Sequence, residues 1–99
     1  MINIYRTVQG IGFEWNMGKA FNNQAKHGIP FEIACDVFFD PFLASSDDEV
    51  VNGEVRYTAV GMTTEWQLLY IVYVWRGDNI RLISARAATT HERKNYETR

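Results

Sequence analysis

The chain of 99 residues contains one cysteine and two histidines, and no long apolar run. A lone Cys35 cannot close an internal disulfide, and with two scattered histidines it cannot complete a structural zinc site. No apolar stretch reaches the ~18 residues needed to span a bilayer. The start, Met1-Ile2-Asn3-Ile4-Tyr5-Arg6, lacks the apolar h-region of a secretory leader, so a cytoplasmic protein is expected. The P-loop, G-x-S-x-G and H-E-x-x-H signatures are missing, and Gly10-Ile11-Gly12 is too short for a dinucleotide fingerprint. No cofactor and no metal are expected. An excess of positive charge is lacking too, since the formal net charge is −2.

What is present is the composition of a folded protein: 46% hydrophobic, 14% aromatic and 22% charged residues, incompatible with general disorder. The length predicts a single domain over 1–99 with one modest core. The charge is unevenly spread: residues 1–52 carry three basic and seven acidic side chains, residues 53–99 seven basic and five acidic. The arginines therefore gather in the second half, and a net charge of −2 does not by itself exclude a nucleic-acid partner.

Along the chain, Ile11 to Trp15 reads as a short strand, while residues 1–10 fit either an edge strand or a loose tail. Asn16 is a good N-cap, and Met17, Phe21 and Ala25 recur at helical spacing with Ala20 beside them. This stripe predicts a helix that buries it and exposes Lys19, Asn23, Lys26 and His27, ending at Gly28. Pro30 opens a second helix with Phe31, Ala34, Cys35 and Phe38 on its apolar face, stopped by Asp40-Pro41. Residues 42–53 read as an acidic loop around Asp47-Asp48-Glu49 with a possible short strand. Three strands follow, over Val55–Met62, Trp66–Trp75 and Ile80–Ala87, and the middle one is apolar on both faces. Trp66 and Trp75 at its ends are expected in the core. Thr89-Thr90-His91-Glu92 is a capping box that opens a polar C-terminal helix with Arg93 and Glu97 paired at i, i+4. The expected fold class is α+β: two N-terminal helices, an antiparallel meander of three to four strands, and a C-terminal helix.

The candidate chemistry rests on cations. Arg56, Arg81 and Arg86 lie on predicted strands, and the arginine fork matches phosphate oxygens bidentately. Each could equally sit on a solvated sheet face or pair with a carboxylate. Arg81 and Arg86 are five positions apart, so on a regular strand they point to opposite faces unless a bulge intervenes. Lys19, Asn23, Lys26 and His27 form a second cluster. His27 could move a proton near neutral pH, although Lys26 and His27 also suit the negative end of a helix. Tyr96 is the aromatic residue least explained by burial, and Cys35 reads as inert core.

The order of these motifs resembles the BrnT toxin family. Phe13-Glu14-Trp15, Lys19-Ala20, Asn23 and Lys26-His27-Gly28 look like its opening F-x-W-D-x-x-K-A-x-x-N-x-x-K-H-G. Arg56 with Gly61, Ile80-Arg81-Leu82-Ile83-Ser84-Ala85-Arg86, Ala88-Thr89, Glu92-Arg93 and Tyr96-Glu97 resemble its second half. Asn16 stands where the family has Asp, and residues 1–12 form an N-terminal extension without a counterpart. The resemblance implies a RelE-like fold and a ribonuclease toxin of a type II toxin–antitoxin system, cleaving RNA without a metal and inhibiting translation. It further implies a BrnA-type antitoxin with a ribbon-helix-helix domain and a toxin–antitoxin heterotetramer that reaches operator DNA only through the antitoxin. On this reading Arg56, Arg86, His27, Lys26 and Arg81 are the catalytic candidates, and Lys19, Arg93 and Tyr96 contact RNA. The alternatives are an inactive relative that only binds antitoxin and an unrelated small interaction domain.

Overall fold

The computed structural model describes residues 2–98, without the side chains of Asp47 and Asp48, so the acidic pair read from the sequence lies outside the described side chains. The chain opens with a β-hairpin, β1 (Asn3–Val8) and β2 (Ile11–Asn16). Gln9 and Gly10 join them with φ of 48° and 84°, the paired positive values that match the twist of a two-residue hairpin. Of the two readings for residues 1–10 the edge strand holds over residues 3–8: all of β1 is paired along β2.

Helix α1 (Met17–His27) begins where Asn16 Oδ1 accepts the Lys19 N–H at 2.9 Å and ends at Gly28, φ 74°. The second helix is shorter than its apolar pattern suggests. Only Phe31–Ala34 is α-helical (α2), and Cys35–Phe39 tightens into a 3₁₀ turn before Asp40. Four antiparallel strands follow: β3 (Ala44–Val51), β4 (Glu54–Met62), β5 (Leu68–Arg76) and β6 (Asn79–Ala87). The polar helix α3 (Thr90–Thr98) closes the chain. Thr89 and Glu92 make the expected reciprocal cap at 3.2 and 2.9 Å.

These strands form one sheet of six in the order β1-β2-β6-β5-β4-β3, with β2 and β6 parallel and all other neighbours antiparallel. The expected layout, two helices followed by a three- to four-stranded antiparallel meander of RelE-like type, is therefore incorrect. The two helices do not lead the chain. They connect the hairpin to the meander, and β6 returns to lie beside β2. The sequence pattern could not show this, because one parallel pairing between distant segments, Phe13 with Ile80 and Glu14 with Arg81, leaves no local signal.

One face of the sheet carries the core. Phe13, Trp15, Leu69, Ile71, Leu82 and Ala85 pack with Phe31 and Ala34 of α2 and with Val37 of the 3₁₀ segment that follows it. Gly61 permits the close approach of that segment, since a Cβ there would lie 2.9 Å from Val37 Cβ. Two expectations of burial fail. The stripe of α1 faces solvent, with Phe21 75% and Met17 47% exposed, while its polar-arc residue Asn23 is buried at 8%. Trp66 and Trp75 are not core either, being 83% and 49% exposed. Trp66 precedes β5 in a turn, and Trp75 lies near the end of β5, next to the turn into β6.

The reversal of α1 has a local cause. β2 pairs with β6 only at Phe13–Ile80 and Glu14–Arg81, so the rest of the β6 edge is left without a strand neighbour on that side. Asn23 fills the gap. Its Oδ1 accepts the Ala85 N–H at 3.1 Å, and its Nδ2 donates to Ala85 O at 2.8 Å and to Ile29 O at 3.3 Å. An unpaired backbone group in this position is costly, and its satisfaction decides which way the helix faces.

Candidate functional site

The register of the meander decides where the arginines point. Val72 pairs with Ser84 but the next residue, Tyr73, pairs with Leu82, so Ile83 is an extra residue on β6. This bulge inverts the alternation. Leu82 and Ala85, three positions apart, are both core, and Arg81, Ser84 and Arg86 share the opposite face. The exception allowed for in the sequence is thus realised. On β4 the Thr58–Val72 and Val60–Tyr70 pairs set the same open face, and alternation adds Arg56 to it. Its paired rows run Thr58–Val72–Ser84 and Val60–Tyr70–Arg86, with the Val74–Arg81 pair next along β5 and β6 and Arg56 one alternation beyond Thr58 on β4. With strands ~4.8 Å apart, Arg56 and Arg81 arise roughly 10 Å from each other, two strands distant.

The three cations differ in what holds them. Arg81 Nη1 donates to Glu14 Oε2 at 2.7 Å and Nη2 to Asn3 Oδ1 at 3.1 Å, and Glu14 also accepts from Asn79 at 3.2 Å. Glu14 is buried, so this pair fastens the hairpin to β6. Arg86 is gripped bidentately by Glu92, both contacts 2.9 Å, donates to Ala87 O, and lies 4.1 Å from the centre of the Tyr70 ring. The bidentate bond raises the Arg86 pKa further, and pulls that of Glu92 below its ordinary range. Three of the five N–H donors of Arg86 are thereby engaged. Arg56 is different. Among the described residues it has no ion pair, and its Nε is buried without a hydrogen-bond partner.

Beside this face, Lys19, Lys26 and His27 line a shallow cleft with Asn22, Asn23, Ile83 and Ser84. Ser84 belongs to both regions, so the α1 cations border the arginine face through it. Asn23 does not contribute a free amide there, because the β6 edge uses it. Arg93 keeps its helical pair with Glu97 at 3.8 Å on an exposed surface. Tyr96 is accounted for by structure, since its hydroxyl donates to Asp40 Oδ2 at 2.5 Å and docks α3. Sequence reasoning missed Glu14 and Glu92 as partners of Arg81 and Arg86, and the hydroxyls Thr58 and Ser46, which bond each other at 3.1 Å on the open face. Period-two alternation from Arg56 would have found Thr58. The carboxylates carry no signal, because they arrive from other elements. No group of three or more metal-ligating side chains occurs among the described residues.

A family model described as the ribonuclease toxin BrnT of type II toxin–antitoxin systems matches residues 15–92. The chain belongs to the BrnT family. No curated protein matches the chain. Among solved structures it is similar to the Brucella abortus ribonuclease toxin BrnT, with 21% identity and a TM-score of 0.52. That alignment covers 77% of this chain and 94% of the Brucella one, and at such identity it speaks for the fold. The BrnT match begins at Trp15, so β1 and most of β2 precede it. Membership of a type II family implies an antitoxin partner. Among the described residues no helix is long and apolar enough to cross a membrane.

Proposed function

We propose that this chain is an active endoribonuclease toxin whose RNA site is the open sheet face carrying Arg56, Arg81 and Arg86, with Lys26 and His27 at its margin. The observation that carries this reading is Arg56: a half-buried guanidinium without an anionic partner among the described residues, on the same face as two further arginines. A cation left unpaired at that depth is costly unless an anion completes it, and an RNA phosphate is such an anion.

Cleavage needs no metal in this scheme. The ribose 2′-hydroxyl loses its proton to a base and forms a 2′-O–P bond, and the P–O5′ bond breaks as the 5′-oxygen takes a proton. Arg56 holds the phosphate and stabilises the negative charge that grows on its oxygens. The unengaged donors of Arg86 and Arg81 supplement it, while Glu92 and Glu14 fix their orientation. His27 and Lys26 handle the protons. Lys19 and Arg93 steer the RNA strand, and Tyr96 acts indirectly by seating α3. The protein would act in the cytoplasm, arrest translation, and be neutralised by a BrnA-type ribbon-helix-helix antitoxin in a heterotetramer that reaches operator DNA through the antitoxin.

Inducible expression in a bacterial host tests this. The wild type should arrest growth and the purified protein should cleave RNA in the presence of EDTA, with rescue by co-expressed antitoxin. Arg56→Ala should lose ~10²–10³ in cleavage rate, the usual cost of one charge-stabilising donor. An Arg56→Ala protein as toxic as wild type would sink the site. The carboxylate pairing of Arg81 and Arg86 favours a second reading, an inactive relative that only binds antitoxin. Normal growth on wild-type expression, with antitoxin binding intact, would select it.

A further inference from the structure

Past the C-terminal end of β4, just beyond the Val60–Tyr70–Arg86 row, the β4–β5 turn holds Trp66 out into solvent. Trp66 has φ 63°, a backbone conformation that bulky residues avoid, and it is 83% exposed. The turn is built to keep it there. Thr63 N donates to Gln67 O, Thr63 Oγ1 accepts from the Glu65 and Gln67 amides, and Trp66 N donates to Thr63 O. Burial cannot be the reason for the strain, since the ring is in water. Trp66, Phe39, Phe42 and Met62 wall a groove closed on its other side by α3, and Phe42 too is largely exposed. Its charged lining among the described residues is acidic, Asp36 and Asp40, while Glu97 lies in the adjoining cleft by α3 and is paired with Arg93.

We propose that this groove is the docking site for a basic, amphipathic segment of the protein antitoxin, with an apolar side chain seated against Trp66 and Phe42 and lysine or arginine at the Asp36 rim. The inference rests on the type II family membership, which supplies a polypeptide partner. Charge selects the occupant: an RNA strand would bring phosphates against carboxylates, whereas a cationic peptide complements them. An exposed indole in an apolar-walled groove is also the residue type and setting of interface hot spots. Because α3 is held by Tyr96 on Asp40 and by Glu92 on Arg86, a partner seated along it would lie beside the arginine face without using its cations.

The test uses the full chain and the purified antitoxin expressed from the same operon, with Kd measured by calorimetry. Trp66→Gly relieves the positive φ while deleting the ring, so its melting temperature should equal or exceed that of wild type. Its antitoxin affinity should fall about 30-fold or more. Cleavage of RNA by the free Trp66→Gly protein should match wild type, and binding should weaken as salt rises. In a Trp75→Phe background, where the other tryptophan is the buried Trp15, the emission should shift to the blue on adding antitoxin, and this shift should vanish in Trp66→Gly. Unchanged affinity of Trp66→Gly would overturn the proposal, as would loss of affinity only in Phe21→Ser on α1. Loss of RNA cleavage with antitoxin affinity intact would make Trp66 a base-stacking platform and refute docking, as would a homodimer abolished by Trp66→Gly. A wild type that binds antitoxin through this groove yet cleaves no RNA would reject the catalytic reading alone.

Discussion

Replacing Asn23 by Leu should be the most damaging single change on α1, although it puts an apolar residue of similar size into a buried position. Leucine can neither accept the Ala85 N–H nor donate to the Ala85 and Ile29 carbonyls, bonds of 3.1, 2.8 and 3.3 Å. Each buried backbone group left unsatisfied costs about 1–3 kcal/mol. The longest bond counts least, so the sum comes to about 3–5 kcal/mol, a large part of the 5–15 kcal/mol available to a domain of roughly this size. The melting temperature should fall by more than about 15 °C. Urea unfolding followed by circular dichroism gives the free energy, and hydrogen exchange at the Ala85 amide reports the specific bond. Asn22→Ala, one residue away and exposed, should stay within about 0.5 kcal/mol of wild type. If Asn23→Leu costs less than about 1 kcal/mol and the Ala85 amide remains protected, α1 is not held by this bond and the account of its orientation fails.

The outward stripe of α1 predicts that Phe21→Ala costs less than about 1 kcal/mol in urea unfolding, where a core phenylalanine would cost 3–5. Glu92 is pulled below its ordinary value by the Arg86 bond, so its contribution to stability is complete above the unfolded pKa near 4.5 and is lost as pH falls through the lower folded value. Glu92→Gln should therefore flatten the acid limb of a stability profile taken from pH 7 to 3, and an unchanged slope would count against the pair. Cys35 is 1% exposed and burial pushes its thiol up to about 12, so it should resist disulfide reagents at pH 8 until the chain unfolds. Rapid native labelling would mean that the α2 segment opens readily.

Features set by nearest neighbours in the chain were legible without coordinates. The Asn16 cap, the stop at Gly28, the Asp40-Pro41 break and the Thr89–Glu92 box each depend on a few consecutive residues, and each is where the sequence puts it. The cationic residue types of the candidate site were legible for the same reason, as was the resemblance to the BrnT family, which is an ordered set of such local motifs.

Tertiary structure alone decided which way those residues face. Apolar periodicity marks Met17, Phe21 and Ala25 as one stripe, but an unpaired β6 edge claims Asn23 and turns the stripe outward. Alternation sends Arg81 and Arg86 to opposite faces, but an unmatched Ile83 in the ladder brings them together. Whether Arg56, Arg81 or Arg86 carries an available charge depends on Glu14 and Glu92 arriving from other elements. Composition and spacing are properties of a segment, so the sequence determined the elements, their caps and the chemistry they could bear. Register, bulges and ion pairs are relations between distant segments, and they exist only once the six strands have been laid side by side.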